Sequence, residues 1–141
     1  MSTRSCVARR TDDGGWEGRY VHFDGDPGWR MPALLDLIDR DGVDRVLQVV
    51  IDEHPNGWSA LTAEDETLGK FHSPDRFEVV PGYGIAYLDG EPSMITSKDT
   101  PDCFIEWVYI VDSETITVLE YEDGEHKPHS QLVHRPEFAS Q

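Results

Sequence analysis

The residues best suited to chemistry stand together near the N-terminus, in the run His22-x-Asp24-x-Asp26. A histidine beside a carboxylate can serve as a general base, because the carboxylate orients the ring and stabilises its charge. We therefore name His22 and Asp24 as candidate catalytic residues. The three side chains would share a metal ion only if one strand ran through all of them. Gly25 and Pro27 favour a turn instead, so the sequence predicts neither a metal site nor a cofactor.

Two predicted strands place further polar groups beside this pair. Residues 4–10 and 16–23 have strand-like patterns, and the residues at 11–15, rich in Asp and Gly, predict a hairpin turn between them. Side chains two residues apart on a strand share a face of the sheet. If that face stays open, the hairpin holds a small polar cleft for the binding or hydrolysis of a small molecule. Its predicted lining is Arg4, Tyr20, His22 and Asp24.

Two serines offer other routes to nucleophilic catalysis. Ser5 would complete a Ser-His-Asp arrangement only if the hairpin register set it opposite His22, and no Gly-x-Ser-x-Gly turn accompanies it. Ser2 would become an N-terminal nucleophile if Met1 were removed, but 141 residues is short for the enzymes that use one. The sequence leaves open whether the protein is an enzyme.

The elements that must position these residues follow from apolar spacing. In residues 31–38 and 43–51 the apolar residues recur at the three- and four-residue spacing of a helical stripe. Alternating apolar residues predict further strands at 77–80, 83–88, 104–111 and 115–121. We therefore predict an α+β fold, with an antiparallel sheet of about five strands and two helices packed on one face.

Length and composition predict one domain over residues 1–141. A chain of 141 residues with 38% hydrophobic residues can build a single core, and no linker divides it. Residues 125–141 are mostly polar, so we expect them to form a loosely docked tail. The three histidines of that tail, which we expect to be exposed, are His126, His129 and His134.

The chain is strongly acidic, with 28 acidic and 12 basic residues and a formal net charge of −16. Residues 1–50 contribute −2 of this charge, and residues 51–141 contribute −14. Such a balance argues against direct nucleic-acid binding, which depends on Lys and Arg, and no apolar run is long enough for a membrane span. The excess acids serve either solubility alone or contact between the region 51–141 and a basic protein surface.

The two cysteines, Cys6 and Cys103, lack the close spacing of a zinc site. Both lie in strand-like segments, which predicts buried thiols in a reducing compartment, and a disulfide between them stays open as an alternative. The first residues lack the apolar stretch of a signal peptide. We therefore expect a cytoplasmic protein.

The N-terminal residues also carry a family resemblance. The run Ser2-Thr3-Arg4-Ser5, with Tyr20-x-His22-x-Asp24-Gly25 and Pro27, resembles a group of small, uncharacterised bacteriophage and bacterial proteins. Those proteins open with a Thr-Arg-Ser strand, continue into a Tyr-x-His-Trp-Asp-Gly-Tyr-Pro segment and then enter a helix. Their later acidic and aromatic strand is similar to Glu106-Trp107-Val108-Tyr109 here. The resemblance implies a compact accessory protein of phage or bacterial type and no particular activity.

This chain departs from that pattern at three positions. Phe23 and Asp26 stand where Trp and Tyr are usual, and Cys6 stands where Asn is common. Charge and motifs together predict a small, acidic, soluble protein that binds another protein. The alternative is a small-molecule hydrolase or ligand-binding protein that uses a cleft at His22 and Asp24.

Overall fold

Nine strands and two helices make up the part of the chain that the computed structural model describes, residues 3–70, 72–90, 94–98 and 105–133. The strands are β1 (Ser5–Arg10), β2 (Trp16–Val21), β3 (Trp58–Leu61), β4 (Phe77–Val80), β5 (Gly84–Tyr87), β6 (Ile95–Thr96), β7 (Trp107–Val111), β8 (Thr115–Glu122) and β9 (Glu125–Val133). The helices are α1 (Pro27–Asp41) and α2 (Val43–Leu47), and α2 continues into a π-helical turn at Gln48–Asp52.

The sheet is mixed, and a hairpin lies at its centre. The strand order is β4-β5-β3-β2-β1-β7-β8-β9, and the short β6 pairs with the first residues of β2. β1 and β2 form the antiparallel hairpin that the turn residues predict. The outer edges of this hairpin pair in parallel with strands from later in the chain, β1 with β7 and β2 with β3.

The prediction of an antiparallel sheet of about five strands is therefore wrong in both strand number and strand direction. Parallel partners are joined by long connections, and the apolar pattern of a strand does not indicate which distant strand it pairs with. Three of the strands also lack a strong alternating pattern. β3 has four residues and β6 has two, and β9 is mostly polar.

β9 occupies residues for which the composition predicts a loosely docked tail. Residues 125–133 instead pair antiparallel with the whole length of β8. The pairing contains one irregularity, a register shift between Val118 and Leu119, and Pro128 lies opposite Leu119 there. The backbone pairing with β8 fixes this segment despite its polar side chains.

Apolar residues fill both faces of the central strands. The helices cover one face, where Leu34 and Leu37 of α1 pack with residues of the π-helical turn and with Trp58. A smaller cluster lies on the opposite face and consists of Cys6, Ala8, Trp16, Ile105, Val108 and Ile110. β1 and β7 contribute to both clusters, as expected for strands covered on two sides.

The sequence sets both ends of α1. Pro27 begins the helix, where the missing N–H of proline removes no helical hydrogen bond. Gly42 ends it with a φ of +85°, and its N–H donates to the carbonyl of Ile38 at 2.8 Å. α1 has 15 residues, and within the described ranges no helix combines the length and apolar content that a membrane crossing requires.

The π-helical turn is tied to the sheet by side chains. The indole N–H of Trp58 donates to the carbonyl of Val50 at 3.0 Å, and the Nε of Arg19 donates to the carbonyl of Ile51 at 2.9 Å. Both side chains are buried, where an unpaired carbonyl would be costly. These two bonds fix the helical segment over the strands β2 and β3.

We expect Gly18→Ala to lower the free energy of unfolding by at least about 2 kcal/mol, because β2 touches β1 where Gly18 lies. A Cβ atom there would stand 2.1 Å from the carbonyl oxygen of Val7 and 2.7 Å from the Cα of Ala8. Gly69→Ala is the matched control, since its Cβ would meet nothing within 4 Å. Urea denaturation followed by tryptophan fluorescence measures both. Equal losses in the two variants would contradict the tight contact between the strands.

Candidate functional site

Three of the four predicted cleft residues lie together on the sheet face opposite the helices. Arg4 precedes β1 and His22 follows β2, so they flank the last pair of the hairpin, Ser5 with Val21. The Tyr20 hydroxyl lies 2.5 Å from the Nδ1 of His22. The Arg4 guanidinium lies near the same hydroxyl, where it lowers the pKa of Tyr20 against the larger effect of burial. The three side chains therefore form one polar group around the Tyr20 hydroxyl.

The groups around Tyr20 determine which proton placement is favoured. An arginine has only donors, and its positive charge near the Tyr20 oxygen favours the arrangement in which the Tyr20 O–H donates to the Nδ1 of His22. A neutral histidine that accepts at Nδ1 carries its proton on Nε2. Burial and the charge of Arg4 both lower the pKa of His22, which favours this neutral form. Burial raises the pKa of Tyr20, so the phenol keeps its proton at neutral pH.

Further polar side chains continue the group across β3 and β5. Burial raises the pKa of Tyr87, the nearby Tyr20 raises it further, and the neighbouring Ser59 lowers it. The Ser59 hydroxyl also lies 3.3 Å from the Nε2 of His72. We call the whole group the sheet-face cluster, and its members are Arg4, Tyr20, His22, Ser59, His72 and Tyr87.

A glycine makes room for this arrangement. Gly57 has a φ of +85°, and a Cβ there would lie 3.0 Å from the backbone oxygen of Tyr20. The sequence alone does not identify Ser59, His72 and Tyr87. They lie near Tyr20 because β3 pairs in parallel with β2, and the sequence does not indicate this pairing. The available signal was the run Pro55-Asn56-Gly57, which marks a turn before β3 and does not indicate its partner.

Asp24, the fourth predicted residue, lies away from this cluster. It has a φ of +56° in the turn after β2 and is exposed. Among the contacts of the described residues, no hydrogen bond or ion pair joins it to His22. Asp24 instead lines a cavity of about 280 Å³ between α1 and the end of β3. The other lining residues are Trp29, Arg30, Pro32, Ala33, Asp36, Leu61, Thr62 and Glu64.

A buried arginine forms part of the wall of this cavity. Arg30 is 1% exposed, and its guanidinium donates to the carbonyl of Leu61 and, at 2.8 Å, to the carbonyl of Phe23. Burial lowers the pKa of Arg30 to about 10, partly offset by Tyr109 and by the carboxylates of Asp24 and Asp26. Arg30 therefore stays charged at neutral pH and links α1 to the ends of β2 and β3.

Trp29 and three carboxylates surround the same cavity. The Trp29 side chain is 67% exposed, the most exposed of the large hydrophobic residues in the described ranges. Asp24, Asp36 and Glu64 line the cavity with it. We call this set of four residues the Trp29 surface. It combines a large exposed aromatic ring with negative charge.

Most basic residues of the described ranges form ion pairs or hydrogen bonds with other residues of the protein. Ion pairs join Arg9 to Glu17 and Asp52, Arg10 to Asp112, Arg40 to Asp41, Arg45 to Glu53, Arg76 to Asp89, Lys98 to Asp13 and Lys127 to Asp123. Arg19 and Arg30 are buried against backbone carbonyls. Arg4 is exposed and has no carboxylate within 4.0 Å of its guanidinium among the residues described.

The remaining predicted residues fall elsewhere. Ser5 is fully buried and pairs with Val21 rather than with His22. Cys6 is fully buried in the smaller core cluster. The Nε2 of His126 lies 2.7 Å from the carbonyl oxygen of Ile105, so this histidine belongs to the sheet and not to a tail. The residues that lie outside the described ranges are Ser2, Cys103 and His134.

Neither a metal cluster nor a relative supplies a function for these surfaces. In the parts of the chain that the structure describes, no group of three His, Cys, Asp or Glu side chains could hold a metal ion. No protein-family model, curated protein or solved structure matches the chain. The sheet-face cluster and the Trp29 surface are the candidate functional sites of the described residues.

The lowered pKa of His22 predicts a loss of stability in acid. The unfolded chain has the higher pKa, about 6.5, so as the pH falls through this value the unfolded state takes up more protons and stability falls. An NMR titration of the His22 ring should give a pKa below 6.5. Arg4→Gln should raise this pKa by removing one of its causes, and Arg45→Gln, on α2, should not. A His22 pKa at or above 6.5 would contradict the proton placement described above.

Removal of the Arg30 guanidinium should destabilise the fold strongly. Arg30→Met leaves two carbonyls without their donor, and we expect a loss of about 2–4 kcal/mol in urea denaturation. Arg30→Lys should recover little of it, because one ammonium group does not reproduce the planar fork. Arg45→Met, which removes an exposed ion pair with Glu53, is the control and should change stability little. If Arg30→Met unfolded with the same free energy as the wild type, these two hydrogen bonds would not stabilise the fold.

Proposed function

We propose that the protein binds a basic protein partner, and that the Trp29 surface is the centre of the contact. The exposed ring of Trp29 beside the 280 Å³ cavity carries this proposal. An exposed Trp beside a cavity is a candidate contact residue, because Trp is among the residues that most often dominate binding energy at protein interfaces. The cavity beside the ring offers a place for a side chain of the partner.

The charge of the surface supports a basic partner. Asp24, Asp36 and Glu64 line the cavity beside Trp29, and none of the ion pairs among the described residues includes them. An arginine or lysine of the partner can lie over the indole ring and reach these carboxylates at the same time. The resemblance of the first residues to phage and bacterial accessory proteins is consistent with such a role.

The Trp29 surface draws on both halves of the chain. Asp24 and Asp36 come from the region 1–50, which is nearly neutral in the sequence, and Glu64 comes from the acidic region 51–141. The arginines that balance the first region are paired or buried, Arg4 excepted, so they do not neutralise this surface. We therefore place the contact at α1 and the end of β3 rather than on the region 51–141 alone.

The proposal predicts binding that depends on both salt and Trp29. We expect a fluorescein-labelled nona-arginine peptide, followed by fluorescence anisotropy, to lose at least about tenfold in affinity between 50 and 300 mM NaCl. At constant salt, Trp29→Ala should raise Kd about tenfold. Asp36→Asn and Glu64→Gln should each raise it several-fold.

Matched controls separate the surface from general charge attraction. Leu88→Ala removes another exposed apolar side chain, 44% exposed, and should leave Kd unchanged. Asp75→Asn removes an exposed carboxylate outside the cavity and should have a smaller effect than Asp36→Asn. Affinity that is indifferent to salt would contradict the proposal, as would equal effects of Trp29→Ala and Leu88→Ala.

A further inference from the structure

We infer that the sheet-face cluster contains a second binding site, in which Arg4 and His22 together hold the carboxylate group of a small molecule. This site is separate from the Trp29 surface and does not depend on the function proposed for it. The inference rests on the placement of hydrogen-bond donors, on their exposure, and on the charges around them.

The first donor is Arg4. Seven other basic side chains of the described ranges are paired with carboxylates, and two arginines are buried against carbonyls. Arg4 is exposed, and its guanidinium lies near the hydroxyl of Tyr20. A guanidinium has five N–H donors, which is enough to bind a ligand carboxylate. In a chain with a net charge of −16, an arginine whose guanidinium has no ion-pair partner among the described residues is unexpected.

The second donor is the Nε2–H of His22. When the Tyr20 O–H donates to Nδ1, as the nearby charge of Arg4 favours, the neutral His22 ring carries its proton on Nε2. Within the described contacts no acceptor is bound to that Nε2–H. The His22 ring is half-buried, so it is oriented by its neighbours and still reachable. Tyr20 is therefore a positioning residue that orients the His22 ring beside Arg4.

The strand register places Arg4 and His22 next to each other. Arg4 and His22 stand next to the last pair of the antiparallel hairpin, and side chains that face each other across such strands start about 5 Å apart. This spacing suits the two oxygens of one carboxylate, one accepting from Arg4 and the other from His22. The Phe23 ring packs edge-on against His22, with 4.5 Å between ring centroids, and is 41% exposed. It offers an apolar side for the rest of the ligand.

The surrounding charges favour a single negative charge on the ligand. The carboxylate of Glu106 accepts the backbone N–H of Arg4 at 3.0 Å, so one negative group already stands near the site. A phosphate dianion would meet stronger repulsion there than a carboxylate would. Of the described residues, those that face His22 are Arg4 and Tyr20 on the hairpin and the apolar Phe23. A bound carboxylate should therefore raise the pKa of His22, because it stabilises the imidazolium form.

Benzoate is the probe, since its ring can contact Phe23. In an NMR titration of the full chain at pH 6.5, benzoate at millimolar concentration should shift the His22 ring resonances in a saturable manner and raise the pKa of His22. Arg4→Gln should abolish the effect, and Arg45→Gln should preserve it. Tyr20→Phe should weaken benzoate binding about three- to tenfold and shift the ¹⁵N resonances of His22 away from the Nε2–H form, which a merely structural role would not do.

Several results would overturn the inference. These are no saturable shift up to 20 mM benzoate, an equal shift in Arg4→Gln, or inorganic phosphate binding as tightly as benzoate. Trp29→Ala should leave benzoate binding unchanged, so a failure here is distinguishable from a failure of the nona-arginine experiment.

Discussion

The buried guanidinium of Arg30 holds the point at which β2, α1 and β3 meet. It comes from the first turn of α1 and donates to carbonyls at Phe23 and Leu61, beyond the end of β2 and at the end of β3. The chain turns sharply here, and Asp24 takes up a positive φ. The polar residues before the turn face one side of the sheet, and those after it surround the cavity beside α1. The two candidate sites therefore exist as separate surfaces because this turn is fixed.

Local patterns explain how much of the fold could be predicted. The hairpin of β1 and β2 follows from its turn residues, and the helical stripes follow from spacing, since both depend on neighbours in sequence. The same local logic placed Arg4, Tyr20 and His22 on one face. The parallel partners of the hairpin could not be predicted, because β3 and β7 reach it through long connections. Ser59 and Tyr87 were missed for this reason, and Asp24 was misplaced because one turn redirects the chain.

The net charge of a stretch of sequence likewise does not indicate the charge of the surface that this stretch forms. The net charge of residues 1–50 is close to zero. Most arginines of this region, however, form ion pairs or donate to buried carbonyls. Acidic side chains of the same region, such as Asp36, remain beside the cavity. The surface potential therefore depends on which charged side chains are neutralised in ion pairs or buried, and which remain exposed. Arg4 stands out only after the pairing of the other basic residues is known.

β9 has a consequence for how the molecule behaves among copies of itself. It lies at one end of the described strand order, where the backbone of a flat, apolar strand would recruit another chain. Pro128 lacks an N–H to donate, and the register shift opposite it bends the ladder. Charged residues such as Glu125 and Lys127 oppose close approach further. Because β9 is mostly polar, it lacks the alternating apolar pattern by which a strand is predicted. The same polar residues protect this edge of the sheet against edge-to-edge aggregation.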